Sequence, residues 1–519
     1  MLDQTKAPII ETLKKCAQKP HAPFYAPGHK QGKGIPQPLT DLLGPTVFPT
    51  DLPELPELDN LFAPEGVIQS AQELAAETFG ALHTKFLING STTGIIAAIL
   101  ATCGNREKII LPRNIHQSVI SGLILSGAMP IFINPEYNHD WDIALSITPE
   151  SVAQTLAKHP DAKAVMVVYP TYHGVCGDIV AIAKQVHKYN IPLLVDEAHG
   201  PHFAFHPDLP PAALVSGADL TVQSTHKVLG AMTQASMLHI GSQRIDTHRL
   251  SQALQMVQSS SPNYLLLASL DAARQQMALF GEQLMSQTLE LANDARNRIS
   301  QLPNFSVFDQ EKRSFAPSLD LSTNERERLQ FSKTDRRVFK SYINPGFVFL
   351  DQTRLTVKVS DIGLSGYEAD EILHQELGVT CELPSFRHLA FIISLGNTKA
   401  DIDQLVNALV SLANQSCRNK FNQLPKQDRK IDHYPIDSSM LLSPRDAFFA
   451  QKDDLPREKS LGRISAELVC PYPPGIPVLM PGEIITQQHF EILEQVQALG
   501  GIITGCSDPS LKTLKVCRY

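Results

Sequence analysis

Two β-prone runs of this sequence each end in a charged side chain that could take part in catalysis. The run 191–196 is apolar and ends in Asp196, and the run 221–227 ends in Lys227. Strands of this kind lie buried in parallel sheets, and ligands bind beyond their carboxyl ends. A lysine amine there can form a Schiff base with the aldehyde of pyridoxal 5'-phosphate (PLP), and an aspartate can pair with its pyridinium nitrogen. The pair therefore suits a PLP site, although Lys227 alone could equally be a solvated surface charge.

A cluster of small hydroxyl residues lies upstream of these two runs. Ser91, Thr92 and Thr93 stand between Gly90 and Gly94, and an apolar, helix-like run follows. One such residue could simply cap the helix N-terminus. Three in succession exceed that need and favour a phosphate group bound at the start of the helix.

The elements that would position these residues alternate between strand and helix. Further strands are predicted at 108–112, 130–133 and 164–168, and helices at 68–79, 149–158 and 179–189. Such alternation favours an α/β fold with a mainly parallel sheet covered by helices. Polar residues follow the strands and should meet at one edge of the sheet, at 89–93, His116, 171–173, 196–199 and 224–227.

The chain of 519 residues is too long for a single core, so several domains are expected. We predict an N-terminal arm (1–45), a large PLP-binding domain (46–305), a small α/β domain (306–414), a linker (415–440) and a C-terminal α+β region (441–519). Within them, helices are predicted at 1–19, 256–302 and 366–377, and strands at 347–350, 354–359 and 391–395.

The composition excludes several classes of protein. A formal net charge of −8 argues against nucleic-acid binding. No apolar run approaches the ~18 residues that a membrane span needs, and the N-terminus lacks the apolar core of a secretory signal. The 8 cysteines include no Cys-x-x-Cys pair, so neither a metal site nor a disulfide framework is predicted. We expect a cytoplasmic protein without a metal, nucleic-acid or membrane partner.

Several longer motifs are spread along the chain, at 25–30 (Tyr-Ala-Pro-Gly-His-Lys), 59–66, 89–93, 113–116, 196–200, 224–227, 472–475 and 481–483. Together they resemble the bacterial ornithine/lysine/arginine decarboxylases, PLP enzymes of the aspartate aminotransferase fold (fold type I). The resemblance covers nearly the whole chain. The chain departs from the family at the phosphate loop, where Ser91-Thr92-Thr93 replaces the common Thr-Ser-Thr. We also expect the chain to be without the receiver-like N-terminal domain of the inducible members, as in the short form of the family. The resemblance further implies a homodimer or larger homo-oligomer.

The resemblance implies a role for each candidate residue. Lys227 would bind the cofactor covalently, and Asp196 would contact its ring nitrogen. His116 would stack on the ring, and Ala198 would pack against the opposite face. The phosphate and the remainder of the cofactor would be held by Ser91, Thr92, Thr93, His199, Ser224 and His226.

The activity implied by the resemblance is decarboxylation of a basic L-amino acid to agmatine, cadaverine or putrescine, with release of carbon dioxide. Arginine is slightly preferred, because short forms often make agmatine for polyamine synthesis. A cationic head group requires a carboxylate, and the candidates are Glu483 and the acidic residues between 51 and 65. His29 and Tyr172 are further substrate contacts, and either Lys227 or His226 would reprotonate Cα.

Two other functions stay open at this point. The first is an aminotransferase or aldolase on the same fold, in which Arg387 could bind the α-carboxylate. The second is a non-catalytic relative that kept the fold. The joint presence of Lys227, Asp196 and His116 argues against a non-catalytic protein.

Overall fold

The centre of the structure, a computed structural model, is a seven-stranded sheet. The structure describes residues 1–310, 346–418, 436, 439–472 and 475–518. In chain order the strands of this sheet are β1 (His83–Leu87), β2 (Lys108–Pro112), β3 (Met129–Ile133), β4 (Ala164–Val168), β5 (Leu193–Asp196), β6 (Leu220–Gln223) and β7 (Ser236–Ile240).

The strands lie side by side in the order β1-β7-β6-β5-β4-β2-β3. The five strands from β6 to β3 are parallel, while β7 runs antiparallel to both of its neighbours. The prediction of a mainly parallel sheet is thus confirmed. Because the parallel strands are covered on both faces, their residues are mainly apolar, and polar residues lie at or just beyond their carboxyl ends.

Helices cover both faces of this sheet and form two apolar cores against it. The helices of the first 300 residues are Pro8–Gln18, Gln37–Leu43, Val67–Phe79, Gly90–Thr102, Gln117–Ser126, Pro149–Lys158, Ile179–His187, Thr225–Val228, Thr247–Val257 and Tyr264–Ser300. The helix predicted at 1–19 therefore begins only at Pro8, whose ring suits the first helical turn.

The long helical stretch predicted at 256–302 is largely confirmed, but it is interrupted, because the chain forms two helices there, Thr247–Val257 and Tyr264–Ser300. Pro262 lies between them and cannot donate a backbone hydrogen bond inside a helix. Asn263 then caps the second helix, and its side chain accepts from the N–H groups of Leu265 and Leu266. The resulting helix of 37 residues reaches from the large domain to the small one.

The small domain is a four-stranded antiparallel sheet with its own core. Its strands, in spatial order, are Ser306–Val307, Arg354–Lys358, His388–Ile392 and Leu383–Pro384, and its helices are Gly366–Glu376 and Lys399–Arg418. The strand predicted at 391–395 thus lies three residues earlier. The run 347–350 does not begin this sheet, since Phe349–Leu350 pairs with Val175–Cys176 of the large domain.

The C-terminal region forms a further core. Its helices are Pro444–Phe449, Arg457–Ser460 and Gln487–Ala498, and its paired strands are Lys452–Pro456 with Thr513–Cys517 and Cys470–Tyr472 with Ile502–Thr504. Of the predicted linker, 415–418 is helical, and most of the rest lies outside the described residues. In the described part of the chain, every helix is too short or too polar to span a membrane.

Candidate active site

Asp196 and Lys227 come together because β5 and β6 are adjacent parallel strands. Asp196 is the last residue of β5. Lys227 lies in the short helical turn Thr225–Val228 that directly follows β6, and not in the strand itself. Both side chains line one cleft at the carboxyl edge of the sheet, together with Ser91, Asn114, His116, Ser118, Val168, Pro170, Tyr172, Ala198 and His199.

The carboxylate of Asp196 is buried and incompletely satisfied. Its Oδ1 accepts one hydrogen bond, from the Ala198 N–H at 3.2 Å, and the described residues give it no other. Burial raises the pKa of Asp196, while the charge of Lys227 and the Ala198 N–H act in the opposite direction. A buried acid of this kind is stabilised in its ionised form by an added cation. A protonated ring nitrogen meets that need.

The amine of Lys227 is half-buried and close to His199. Its Nζ lies 3.0 Å from His199 Nε2 and 5.7 Å from the centre of the Tyr172 ring. Burial lowers the pKa of Lys227, and the charges of Asp196 and Glu382 partly oppose that effect. A lowered pKa increases the fraction of neutral amine, which is the form that attacks an aldehyde.

The imidazole of His116 is fixed in one orientation. Its Nδ1 accepts from the Ser118 N–H at 3.2 Å and lies 2.9 Å from the Ser118 hydroxyl, so the ring caps the helix Gln117–Ser126. Burial and then the charge of Lys227 lower the pKa of His116 to about 4. The ring is therefore neutral near pH 7, with its proton on Nε2.

The start of the helix Gly90–Thr102 suits a phosphate group. No side chain caps this helix, so its first N–H groups are available to an anion. The Ser224 hydroxyl donates to Ser91 Oγ at 2.7 Å, which brings the end of β6 to this helix. Thr92 is exposed beside them. These features and the incompletely hydrogen-bonded carboxylate of Asp196 fit the two ends of PLP.

Two of the side chains predicted to contact the phosphate contact backbone carbonyl groups of the protein in this structure. The hydroxyl of Thr93 is buried and donates to the Asn89 carbonyl at 3.1 Å, so it already has a partner within its own helix, and its contact with a phosphate stays a prediction. The Nδ1 atom of His226 lies 3.0 Å from the Ala235 carbonyl, and this ring does not line the cleft. Burial lowers the pKa of His226.

Two predicted substrate residues are also held away from the cleft of their own chain. Glu483 is buried in an ion pair with Arg113 at 3.2 Å and accepts from the Met480 N–H at 2.8 Å. His29 Nε2 lies 3.0 Å from Asp51, and its Nδ1 accepts from the Gly32 N–H. Tyr172, the third of these predictions, does line the cleft.

Two charged residues of the small domain act on the cleft although no local sequence pattern indicates them. Arg354 is buried, and its Nη2 donates to the His199 carbonyl at 2.8 Å. Glu382 is exposed, and its charge acts on the pKa values of Lys227, Tyr172 and Arg354. By contrast Arg387, proposed as a carboxylate contact of an aminotransferase, does not line the cleft.

Comparison with known proteins agrees with this geometry. The chain matches the family model for the major domain of Orn/Lys/Arg decarboxylases over residues 7–401, and the model for their C-terminal domain over 432–505. It is 36% identical over 517 residues to an arginine decarboxylase of Bacillus subtilis (strain 168), covering 100% of this chain and 99% of that protein. It is 26% identical over 568 residues to the lysine decarboxylase LdcA of Pseudomonas aeruginosa, covering 94% and 75%.

A solved structure of a lysine decarboxylase has a similar fold. The Francisella novicida lysine decarboxylase LdcF superposes with a TM-score of 0.79 at 22% identity, over 99% of this chain and 81% of that one. With the sheet, the cleft and the family match taken together, this chain belongs to the Orn/Lys/Arg decarboxylase family and is a PLP-dependent amino acid decarboxylase of fold type I.

Proposed function

We propose that this enzyme decarboxylates L-arginine to agmatine and carbon dioxide, with Lys227 as the covalent anchor of PLP. The observation that carries the proposal is the convergence of Lys227 and the incompletely hydrogen-bonded carboxylate of Asp196 in one cleft. Arginine is preferred because relatives named arginine decarboxylases are about 35% identical over the full chain, whereas the lysine decarboxylase relatives are 26% identical. We assign the reaction to cytoplasmic polyamine synthesis, as the family resemblance implies.

Bound PLP would supply an electron sink for the electron pair left when the bond between Cα and the carboxylate breaks. Ionised Asp196 keeps the ring nitrogen protonated, which strengthens that sink. Neutral His116 and Ala198 lie on the cleft walls, where they hold the ring. Ser91, Thr92 and Ser224, with the first amides of their helix, bind the phosphate.

The cleft also favours one of the two candidate proton donors. Lys227 lines the cleft and contacts His199, whereas His226 does not line it and directs Nδ1 to the Ala235 carbonyl. We therefore assign reprotonation of Cα to the Lys227 amine. Tyr172, whose ring contacts His199 at 4.6 Å, closes one side of the same space.

The acid that we place at the distal cation of the substrate is Glu382, not Glu483. Glu382 is exposed, and its backbone N–H donates to Ala390, which fixes it beside the small-domain strand Leu383–Pro384. Its charge acts on Lys227 and Tyr172 across the domain boundary. Glu483 has its carboxylate bound to Arg113 and would have to give up that pair.

Replacement of Glu382 by glutamine should weaken arginine binding more than it slows the chemistry. Loss of one charge-assisted contact corresponds to about 10-fold to 100-fold in KM, with kcat changed by less than about threefold. Steady-state kinetics on arginine measure both constants. Glu371→Gln, which removes an exposed carboxylate from the helix Gly366–Glu376, is the control. An unchanged KM in Glu382→Gln would remove Glu382 from the substrate site.

The substrate assignment is tested with the purified protein, PLP and separate additions of arginine, lysine and ornithine. Carbon dioxide and the amine product are followed together. We expect the highest kcat/KM with arginine. A higher value with lysine or ornithine would overturn that assignment, and transfer of the amino group to an added keto acid without gas release would support an aminotransferase.

We further propose that the enzyme acts as a homodimer formed through the N-terminal arm. The helix Gln37–Leu43 buries none of its residues in its own chain. Leu42 is 76% exposed, Leu43 is 54% exposed, and Phe24 is 95% exposed. Exposed apolar side chains concentrated in one segment are typical of a contact surface. Light scattering should give the mass of two chains, and of one chain for the double variant Leu42→Glu/Leu43→Glu.

A further inference from the structure

A ladder of four buried polar side chains crosses the main sheet behind the active site. Its members lie on neighbouring strands: Thr84 on β1, His239 on β7, Gln223 at the end of β6, and Glu197 directly after β5. Thr84 Oγ1 is 2.8 Å from His239 Nδ1, His239 Nε2 is 3.0 Å from Gln223 Oε1, and Gln223 Nε2 is 2.9 Å from Glu197 Oε2. The Ala213 N–H closes the ladder on Glu197 Oε1 at 2.7 Å.

The ladder lies in an otherwise apolar layer. The ring of His239 packs against Phe79 at 4.6 Å, and all four side chains are at most 3% exposed. Desolvation of such groups is costly unless each of them is hydrogen-bonded, and apolar side chains would avoid that cost. The ladder therefore contributes less through its own stability than through the parts of the structure that it holds in place.

The ladder holds the two strand ends from which the cofactor contacts emerge. Glu197 follows Asp196, and Gln223 precedes Ser224. Successive residues of a strand point to opposite faces, so the ladder joins β5 and β6 on the face away from Asp196 and Ser224. The backbone adds one more tie at this level, since the Glu197 N–H donates to the Val222 carbonyl at 2.9 Å.

We propose that this ladder positions Asp196 and Ser224 for the cofactor, and that Glu197 and Gln223 are positioning residues of the active site. The inference rests on the roles proposed above for Asp196 and Ser224. If the hydrogen bond between Glu197 and Gln223 is lost, the two strand ends can separate, and the ring-nitrogen contact and the phosphate contact lose their relative placement.

The ladder works with Glu197 in the neutral, protonated form. Burial raises the pKa of Glu197 to about 8, although the Gln223 amide and the Ala213 N–H oppose that effect. Burial also lowers the pKa of His239 to about 3, so its ring is neutral. As an acid, Glu197 donates to the Gln223 amide oxygen once that amide is turned over. Gln223 then donates to His239 Nε2, and His239 Nδ1–H donates to Thr84, so every member keeps its partners.

The other titratable groups that face Glu197 do not supply a positive charge. They are the phenol of Tyr169 and the thiol of Cys176, and the pKa of each is raised well above its usual value, first by burial and further by Glu197. Among the described residues no cation acts on Glu197. An ionised Glu197 would thus be a buried charge without a counter-ion, which disfavours that form.

The experiment compares Glu197→Gln with the parent, because glutamine reproduces the acid form and cannot titrate. In the folded parent the pKa is about 8, and in the unfolded chain it is about 4.3. The folded state therefore holds an extra proton between these values, and its stability falls as the pH rises through that window. The Tm of cofactor-free Glu197→Gln should exceed that of the parent by a margin that grows from pH 5 to pH 8. A constant difference across this range would overturn the neutral Glu197.

Positioning of the cofactor is tested by PLP titrations on variants of the same strand. Gln223→Leu removes the central member and should raise the Kd for PLP by about tenfold or more, whereas Glu197→Gln should keep it within about threefold. Thr84→Val alters only the far end, on β1, and should still weaken PLP binding measurably. Thr221→Val is the matched control, since that buried hydroxyl of β6 has no hydrogen-bond partner in the described part of the chain.

The outcomes separate this inference from the proposed function. If Gln223→Leu and Thr84→Val both bind PLP as tightly as Thr221→Val does, the ladder is not a positioning device. If Gln223→Leu does not fold, Thr84→Val decides the question by itself, because its shape is conserved. The melting experiment uses the cofactor-free protein, so it stands even if the proposed cofactor contacts of Asp196 and Ser224 are wrong.

Discussion

Replacement of Lys227 by alanine should lower kcat/KM for decarboxylation by at least ~10⁴-fold, since the variant loses both the covalent anchor and the proposed proton donor. The structure gives this lysine a special environment: its amine contacts His199 at 3.0 Å, and burial lowers its pKa. No other lysine lines the cleft among the described residues. The absorbance spectrum of the protein with added PLP should change as well, because the cofactor can no longer be bound covalently.

Two further variants separate chemistry from charge. Lys227→Arg keeps the positive charge beside Asp196 but cannot form the covalent link, so it should be as inactive as the alanine variant. Lys184→Ala removes an exposed lysine from the helix Ile179–His187 and should leave kcat/KM unchanged. If Lys227→Arg retained more than about a tenth of the parent activity, Lys227 would not be the anchor.

The centre of the fold could be predicted because its signals are local. The runs at 108–112 and 164–168 are mainly apolar and are followed by polar residues, and the structure places strands at those bounds. The same pattern located Asp196, whose type, position and neighbouring lysine all point to one cofactor. The sequence pattern of a buried parallel strand therefore predicts both its burial and the position where ligands bind.

Local sequence patterns could not indicate contacts between residues that are distant in sequence. Glu483 is an acid in a proline-rich loop, and nothing near it indicates that Arg113 pairs with it. Glu382 belongs to the small domain, and its charge acts on Lys227 although the two residues are far apart in sequence. Thr93 shows a different limit, since a threonine in the first turn of a helix can donate to its own backbone, here to the Asn89 carbonyl, and the sequence does not indicate which partner it takes.

The ladder illustrates the same limit within the well-predicted sheet. Gln223 and His239 belong to strands that local patterns can locate, but their side-chain contact depends on β7 lying between β1 and β6. Strand order is a property of the whole chain, so a polar residue in a strand cannot be assigned a partner from its own neighbourhood. The sequence places Glu197 next to Asp196, but it does not indicate the hydrogen bond between Glu197 and Gln223.

The second large effect is expected for Asp196→Asn. Asparagine keeps the size of the side chain and the oxygen that accepts from the Ala198 N–H. It removes the negative charge that holds the ring nitrogen protonated, and a neutral ring is a weaker electron sink. We expect kcat to fall by ~10²–10³-fold, the usual effect of removing one preorganised electrostatic contact, with a smaller change in KM. Asp208→Asn, on an exposed loop, controls for the loss of one negative charge.

Asp196 and Glu197 are consecutive buried acids, and the same chemical change should affect them in opposite ways. Asp196 must be ionised to act on the cofactor, so an amide there should abolish most of the activity. Among the described residues no cation acts on Glu197, which is held by amides, so an amide there should preserve activity near pH 7 and raise the Tm. Kinetics and melting curves of Asp196→Asn and Glu197→Gln, measured side by side, test this directly. If both variants lost activity to the same degree, the division of the strand end into one charged and one neutral acid would be wrong.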